Sequence, residues 1–315
     1  MNNSILGKYK NGNYHVIIFD DGTKIRYNNL DTFEPDTVES MDIKITNKCD
    51  RNCPWCHEKS TIDGKHADIL SPSFIDKLHP YTELAIGGGN VLSHPDIEEF
   101  LLKCKNLKLI PSITVNQKHF EESYDVIKKW ADEKLIYGIG VSYEHFTESL
   151  CDKLNTLPNA VVHVIAGVIS TDSLIKLSEH VDKLKVLILG YKDFGRGHMY
   201  LVNNPDIMRK IEKLESFIAD SIKNKKQYFE TLSFDNLSLN QLNIKKVLDE
   251  KTWEQFYMGD DGIDGELTSA TMYVDMVNMQ FAKNSCAVER HSILENTTIE
   301  QMYDYLKKCN ENTQV

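Results

Sequence analysis

Three cysteines lie close together in the stretch Lys48-Cys-Asp-Arg-Asn-Cys-Pro-Trp-Cys-His57. The preceding stretch, Met41-Asp-Ile-Lys-Ile-Thr46, alternates apolar and polar residues and predicts a β-strand. The cysteines then fall on the loop that leaves the carboxyl end of this strand, where α/β folds usually carry their catalytic and binding residues. We therefore expect this loop to mark the active end of an α/β protein.

The spacing of Cys49, Cys53 and Cys56 suits a soft metal centre. Three thiolates on one loop can hold a [4Fe–4S] cubane and leave one iron open to a ligand that is not protein. A zinc site of the Cys₃His type is the alternative, since His57 follows Cys56 directly. Adjacent residues rarely bind one ion well, and the chain has no second pair of closely spaced cysteines. The sequence favours the cluster over a zinc-stabilised, non-catalytic binding module.

Strand and helix patterns alternate from Met41 onward. Repeated βα units predict a parallel sheet with helices on its outer face. The predicted strands are 41–46, 83–86, 111–115, 137–142, 161–168 and 185–189, with 230–235 as a further candidate. The predicted helices are 73–79, 96–105, 120–134, 145–154, 173–183, 205–226 and, at the carboxyl end, 298–309.

The chain divides into three predicted segments. Residues 1–40 form an N-terminal β-hairpin extension, because two strand-like runs flank the Gly-containing turn Asp20-Asp-Gly-Thr23. Residues 41–235 form the α/β core. Residues 236–315 form a less regular C-terminal α/β extension, which we expect to complete and cap the active site. Its acidic loop, with Asp261, is predicted to be a lid over the substrate.

Composition and charge limit the possible partners. The chain has 315 residues, a formal net charge of −11 and no dense block of Lys and Arg, which argues against a nucleic-acid partner. The longest apolar run, 161–169, is shorter than the ~20 residues of a membrane-spanning helix, and no signal-peptide pattern is evident. Seven cysteines, an odd number, suit a reducing compartment. We expect a cytoplasmic protein that acts on a small molecule or a peptide.

The Cys-x₃-Cys-x₂-Cys pattern, with Trp55 before its last cysteine, resembles the radical S-adenosylmethionine (SAM) superfamily over residues 41–235. The resemblance implies a partial (β/α)₆ barrel, a [4Fe–4S] cluster and SAM as cofactors, and a flavodoxin- or ferredoxin-like electron donor. Members bind SAM through its amine and carboxylate on the open iron. They cleave it reductively to a 5′-deoxyadenosyl radical that abstracts hydrogen from the substrate. By the same resemblance, we expect Trp55 to contact the cofactor.

A run of glycines lies where the superfamily binds the SAM ammonium group. The predicted strand Glu83-Leu-Ala-Ile86 ends in Gly87-Gly88-Gly89-Asn90. Glycines at a strand end permit positive φ and close backbone approach to a ligand. Asn90 stands where Glu is usual in the family, and its carboxamide oxygen can accept a hydrogen bond instead.

Later strand ends supply further cofactor candidates. By resemblance, Asn116 and Ser142 are expected to hold the SAM ribose, although Asn116 also suits a plain turn. Ile165 is expected to pack on adenine. Lys192 and Arg196 lie on one Gly-spaced loop, and both can meet a carboxylate. Lys192 is the candidate for the carboxylate of SAM or of the substrate, with an ordinary solvated loop as the alternative.

Substrate contacts are expected from side chains around the same end of the sheet. Asp235 and Asn236 can read adjacent N–H donors and a carbonyl, as on a purine-like edge, but such residues also start turns. A lone His on an apolar strand, as at 163, is more often a core residue than a ligand. The full set of substrate candidates is Asp235, Asn236, Tyr143, Glu58, His163 and Asp261.

Within the superfamily, the chain is most similar to a small bacterial and phage-borne subgroup associated with queuine lyase. The similarity rests on the cysteine loop and on the runs Ala85-Ile-Gly-Gly-Gly-Asn, Thr114-Val-Asn-Gln and Gly190-Tyr-Lys-Asp-Phe-Gly-Arg-Gly. It implies queuine salvage, in which queuine is cleaved to the 7-deazaguanine precursor preQ₁. The remaining cysteines are too scattered for a second cluster. A single-cluster enzyme acting on a peptide, a sugar or another nucleoside is the alternative.

Overall fold

A computed structural model describes residues 4–30, 32–256 and 270–311. An antiparallel sheet near the amino terminus contains β1 (Ile5–Asn11), β2 (Tyr14–Phe19) and β3 (Lys24–Tyr27). The predicted turn at 20–23 joins β2 to β3. Strand β1 was missed by sequence reasoning, which recognised only the hairpin.

One ten-stranded sheet forms the centre of the described residues, in the order β10-β9-β8-β7-β6-β5-β4-β11-β12-β13. The strands from β4 to β11 pair in parallel, and β12 and β13 add antiparallel strands at one edge. Their bounds are β4 (Ser40–Thr46), β5 (Glu83–Gly88), β6 (Ile110–Asn116), β7 (Gly138–Ser142), β8 (Ala160–Ile165), β9 (Lys185–Leu189), β10 (Thr231–Phe234), β11 (Thr271–Asp275), β12 (Gln280–Ala282) and β13 (His291–Ser292). The seven predicted strands are all present.

Helices connect these strands and cover one face of the sheet. They are α1 (Ser73–Asp76), α2 (Ile97–Asn106), α3 (Gln117–Glu122), α4 (Tyr124–Asp132), α5 (Glu148–Asn155), α6 (Thr171–Ser178), α7 (Gly197–Asn203), α8 (Asp206–Lys223), α9 (Asn236–Gln241), α10 (Ile244–Val247), α11 (Glu250–Phe256) and α12 (Ile299–Glu311). The segment predicted as one helix, 120–134, is two, because Ser123 leaves helical geometry. None of the described helices is long and apolar enough to cross a membrane.

The two faces of the sheet differ in polarity. On β4, Met41, Ile43 and Ile45 are buried against the helices in the main apolar core. Asp42 and Lys44 alternate with them and lie on the opposite face, which we call the inner face. The alternation therefore places ionisable groups on the inner face at the middle of the sheet.

Strand β11 belongs to the C-terminal segment and lies beside β4. Its Tyr273 is opposite Asp42, and its Asp275 is opposite Lys44. Sequence reasoning missed β11 because the pairing joins residues more than 200 positions apart. The C-terminal segment thus forms part of the inner face.

The sheet is curved so that its distant strands approach each other. In a flat sheet, β4 and β9 would be separated by five strand spacings, or about 24 Å. The loops that follow them are nevertheless in contact, since Nε of Arg196 is 3.0 Å from the carbonyl oxygen of Cys53. This closure surrounds the inner face. We call the space bounded by Asp42, Ala85, Gly87 and Tyr273 the chamber.

Candidate active site

The three cysteines of the loop after β4 are half-buried, and none is in a disulfide. The amide of Cys49 donates to the carbonyl of Thr61 at 2.7 Å, and the amide of Cys56 donates to the carbonyl of Cys53 at 3.1 Å. Asn52 has a φ of 47°, a left-handed conformation that Asn tolerates better than most residues. Backbone hydrogen bonds and the tight turn at Asn52 therefore determine the shape of the cysteine loop.

The thiols of this loop are close enough to influence one another's pKa. Burial raises the pKa of Cys49 and raises that of Cys53 to about 11. The carboxylate of Glu144 and the neighbouring Cys56 add to the rise at Cys53. Thiolates in this loop therefore need a compensating cation, which the irons of a cluster would supply.

The donor set fits the three protein ligands of a cubane. Among the described residues, no three His, Cys, Asp or Glu side chains are arranged to hold a single metal ion. A cubane makes a different demand, because each cysteine binds a different iron and the sulfurs stand further apart. The three thiols of this loop would provide those ligands.

Arg196 holds the cysteine loop in place. Its amide donates to the carbonyl of Cys56 at 3.1 Å, and its Nε and Nη1 donate to the carbonyls of Cys53 and Ser60, both at 3.0 Å. Gly195 has a φ of +66°, and a Cβ there would overlap the backbone of His57. Arg196 thus binds backbone carbonyls here, whereas the sequence also suggested a carboxylate partner.

The three glycines after β5 have different surroundings. Gly88 has a φ of +118°, and a Cβ there would overlap the carbonyl oxygen of Thr46. A Cβ on Gly89 would likewise overlap the carbonyl oxygen of Lys48. A Cβ on Gly87 would meet nothing within 4 Å, so this glycine borders open space. Two glycines let the cysteine loop approach β5, and the third leaves room for a ligand.

Two predicted asparagines cap helical turns. The side-chain oxygen of Asn90 accepts from the amide of Leu92 at 3.1 Å, which starts the short 3₁₀ turn Val91–Ser93. The side-chain oxygen of Asn116 accepts from the amide of Lys118 at 3.0 Å and caps α3. The side-chain amide of Asn116 donates a hydrogen bond to Glu144, which in turn approaches the cysteine loop.

Glu144 is a candidate site residue that the sequence analysis did not identify. Its carboxylate accepts from Nδ2 of Asn116 at 2.9 Å and from Nη2 of Arg51 at 2.7 Å. Its Oε1 is also 3.9 Å from Sγ of Cys53. The available signal was an acidic residue two positions after the end of β7. Glu144 thereby connects the cysteine loop to the ends of β6 and β7.

A charged network joins the inner face to the cysteine loop. Nζ of Lys44 is 2.6 Å from Oε2 of Glu58 and 3.1 Å from Oδ2 of Asp275. Burial acts to raise the pKa of Glu58, but contact with His57 and the charge of Lys44 outweigh it and bring it to about 2. Burial, helped by nearby Lys192, lowers the pKa of His57, so the imidazole is neutral at neutral pH. Glu58, a predicted substrate residue, is thus a charged member of this network.

The loop after β9 and the C-terminal segment extend the network. Nζ of Lys192 is 3.3 Å from Nε2 of His57 and donates to Oγ of Ser285 at 3.1 Å. Arg290 lies over the ring of Tyr273, 4.5 Å from its centroid, and donates to the carbonyl of Ser285 at 2.8 Å. Tyr273 and Asp275 were missed because the pairing of β11 with β4 was not foreseen. Arg290 was missed because its contact with Tyr273 follows from that pairing.

Three predicted residues from β7 and β8 share the inner face. In the strand register, Ser142 is opposite His163. The His163 ring lies over Gly140, where a Cβ would overlap it, and burial lowers its pKa to about 4. Ile165 follows two positions later on the same face. His163 is therefore a neutral imidazole on the inner face.

Three further residues predicted to contact the cofactor or the substrate are Trp55, Tyr143 and Asp261. Trp55 packs on Tyr200, with ring centroids 5.5 Å apart. Tyr143 is buried, and its hydroxyl lies 2.7 Å from Oγ of Ser173 in α6, on the helix-covered side. Asp261 lies outside the described residues. These placements do not test the predicted roles, which stay predictions.

Asp235 and Asn236 stand at the start of α9. Oδ1 of Asp235 accepts from the amides of Ser238 at 2.7 Å and Gly190 at 2.9 Å, so it caps the helix and ties it to the loop after β9. Asn236 is the first residue of the helix. The turn-forming alternative accounts for the contacts of Asp235, and substrate recognition by the pair stays a prediction.

Comparison with known proteins identifies structural neighbours only. No family model matches this chain, and no curated protein matches it. A crystal structure of Streptococcus suis SuiB bound to precursor peptide SuiA is similar, with a TM-score of 0.60 and 14% identity over 87% of this chain and 66% of that one. SuiB bound to S-adenosylmethionine gives a TM-score of 0.59 at 14% identity, over 87% and 68% of the two chains.

A third SuiB structure gives a TM-score of 0.54 at 15% identity, over 87% of this chain and 67% of that one. The chain therefore spans about two thirds of the length of the SuiB chains it matches. At this level of identity the likeness shows the fold. The predicted fold class, an α/β partial barrel with extensions at both ends, is confirmed.

Proposed function

We propose that this chain is a radical SAM enzyme with a single [4Fe–4S] cluster held by Cys49, Cys53 and Cys56. The observation that carries the proposal is the position of these thiols. They lie on the loop after β4, beside the open space at Gly87, in a fold that binds S-adenosylmethionine in SuiB. When bound, the cluster supplies the electron that cleaves SAM to a 5′-deoxyadenosyl radical.

The chain's own residues would bind and orient SAM. Open space at Gly87 suits the methionine end, and the carboxylate of Glu144 with the amide of Asn116 suits hydroxyl groups such as those of a ribose. Ile165 offers an apolar surface on the inner face, and Lys192 is the candidate to pair with the carboxylate of SAM or of the substrate. Arg196 would hold the loop against the bound ligands.

A peptide is the substrate class that the comparisons favour. The similar SuiB structure is bound to a precursor peptide, and this likeness covers most of the present chain. Cleavage of queuine to preQ₁ is the second candidate. It is favoured by the polarity of the inner face, where a carboxylate such as Asp42 and a neutral imidazole such as His163 suit a small polar base. The proposed electron donor is a flavodoxin- or ferredoxin-like protein.

The test is anaerobic reconstitution with iron and sulfide, followed by SAM and dithionite. We expect methionine and 5′-deoxyadenosine, measured by mass spectrometry. A pool of short synthetic peptides that raises 5′-deoxyadenosine formation and yields modified peptide would support the first substrate class. Release of preQ₁ from queuine would support the second. A protein that takes up zinc instead of iron and forms no 5′-deoxyadenosine would contradict the proposal and favour a binding module.

A further inference from the structure

Asp42 is a carboxylate on the inner face with no partner in contact. It lies in the middle of β4, opposite Tyr273 of β11 and Ala85 of β5. Its side chain is exposed to the chamber. Within the described part of the chain it makes no hydrogen bond or ion pair, and its electrostatic neighbours are the more distant Lys192 and the hydroxyl of Tyr273.

The cations near Asp42 are engaged elsewhere. Lys44, the next inner-face residue of β4, binds Glu58 and Asp275. Lys192 binds His57 and Ser285. Burial correspondingly raises the pKa of Asp42, against the charge of Lys192. A carboxylate that lines the chamber without a partner in contact is placed to pair with a bound ligand.

There is room for such a ligand beside Asp42. Ala85, its neighbour on β5, is exposed to the chamber. A Cβ on Gly87, two positions further along β5, would meet nothing within 4 Å. The small residues of β5 therefore leave the space next to the carboxylate unfilled.

We propose that Asp42 determines substrate specificity by accepting hydrogen bonds from a cationic or amidine-like edge with at least two N–H donors. This inference rests on the proposed function and deepens it by naming the recognised group. A carboxylate binds such an edge through charge-assisted, paired hydrogen bonds. A guanidinium side chain of a peptide and the ring edge of a guanine-type base share this chemistry. Asp42 would bind the kind of edge also predicted for Asp235, whose Oδ1 caps α9.

The direct test uses benzamidine, with its neutral isostere benzamide as the comparison, on the anaerobically reconstituted full chain with SAM. Calorimetry on the wild type should give benzamidine binding at least about tenfold tighter than benzamide binding. Asp42→Asn should abolish that preference. Asp152→Asn, on the exposed surface of α5, is the matched control and should keep it. Ala85→Leu, which fills the neighbouring space, should weaken both ligands.

Two results would overturn the inference. They are a wild type without preference for benzamidine, and an Asp42→Asn variant that retains it. Because the preference is measured within one protein, a general loss of stability does not imitate it. Wild-type 5′-deoxyadenosine formation is measured in the same preparation. If it fails, the proposed function fails; if it succeeds while Asp42→Asn retains the preference, only the inference about Asp42 fails.

Competition against bound benzamidine then distinguishes a peptide guanidinium group from a guanine-type base as the group that Asp42 recognises. Displacement by queuine supports a guanine-type base. Displacement by the tripeptide Ala-Arg-Ala, but not by Ala-Gln-Ala, supports a peptide. Displacement by neither queuine nor Ala-Arg-Ala would contradict the assigned substrate class.

Discussion

Nζ of Lys44 lies 2.6 Å from Oε2 of Glu58, and this ion pair joins the inner face of β4 to the loop that carries Cys56. Both side chains are largely buried, with 7% and 15% of their surface exposed. Asp275 of β11 shares the same ammonium group at 3.1 Å. One cation therefore links the cysteine loop, β4 and the C-terminal segment.

Lys44→Met should destabilise the fold strongly. It would leave Glu58 and Asp275 as two buried carboxylates without their cation, and breaking a buried pair costs about 3–5 kcal/mol. Lys128→Met is the matched control, because its i,i+4 pair with Asp132 is exposed and is worth only about 0.3–0.5 kcal/mol. Urea unfolding measures both. Equal losses for the two variants would show that the Lys44 pair does not stabilise the site.

Gly87→Val and Gly88→Val should separate ligand binding from folding. Gly87→Val places its branched side chain in open space, so we expect stability within about 1 kcal/mol of the wild type. SAM affinity, by calorimetry on the reconstituted protein, should fall by about tenfold or more. Gly88→Val should instead lose about 2–3 kcal/mol, because its positive φ and the nearby Thr46 carbonyl disfavour a side chain. Unchanged SAM affinity in Gly87→Val would remove this glycine from the site.

His163→Gln should change how stability depends on pH. Burial lowers the pKa of His163 from 6.5 to about 4, so the unfolded chain takes up this proton before the folded chain does. The wild type therefore loses stability as the pH falls from 6.5 towards 4, and the loss ends below the folded pKa. Denaturant unfolding at several pH values should show a smaller loss for His163→Gln. Parallel pH profiles for the two proteins would contradict a buried, neutral imidazole.

Asp42→Asn should be more stable than the wild type at neutral pH. Burial raises the pKa of Asp42 above 3.8, so the folded state holds this proton more tightly than the unfolded state. The stability tied to the proton is present at low pH and is lost as the pH rises through the folded pKa. The variant's advantage should therefore vanish below about pH 4, where both states are protonated. A variant that is less stable than the wild type at neutral pH would contradict an unpaired carboxylate.

Local patterns in the sequence predicted the core well. The cysteine loop after β4 and the seven predicted strands depend on alternation and spacing between near neighbours, which the sequence displays directly. The predicted helix 120–134 divides at Ser123 because a single residue leaves helical geometry, which periodicity does not reveal. The observed ends of the helices and strands differ from the predicted ends by a few residues.

Long-range pairing accounts for what was missed at the site. Tyr273 and Asp275 join the inner face through β11, and no local pattern connects them with β4. Gly87 and Gly88 are neighbours of the same residue type, so the sequence does not distinguish them. Only the folded structure shows that Gly87 borders open space and that Gly88 lies close to the Thr46 carbonyl. An acidic residue at a strand end suits both a ligand contact and a helix cap, and Asp235 forms the cap.

The iron content of the anaerobically reconstituted protein tests the central claim most directly. The wild type should bind close to four iron atoms per chain, as a [4Fe–4S] cluster requires. The triple variant Cys49→Ala/Cys53→Ala/Cys56→Ala should bind almost none. Cys104→Ala and Cys151→Ala, which remove buried thiols in α2 and α5, should match the wild type. A triple variant that retains the full iron complement would contradict the account.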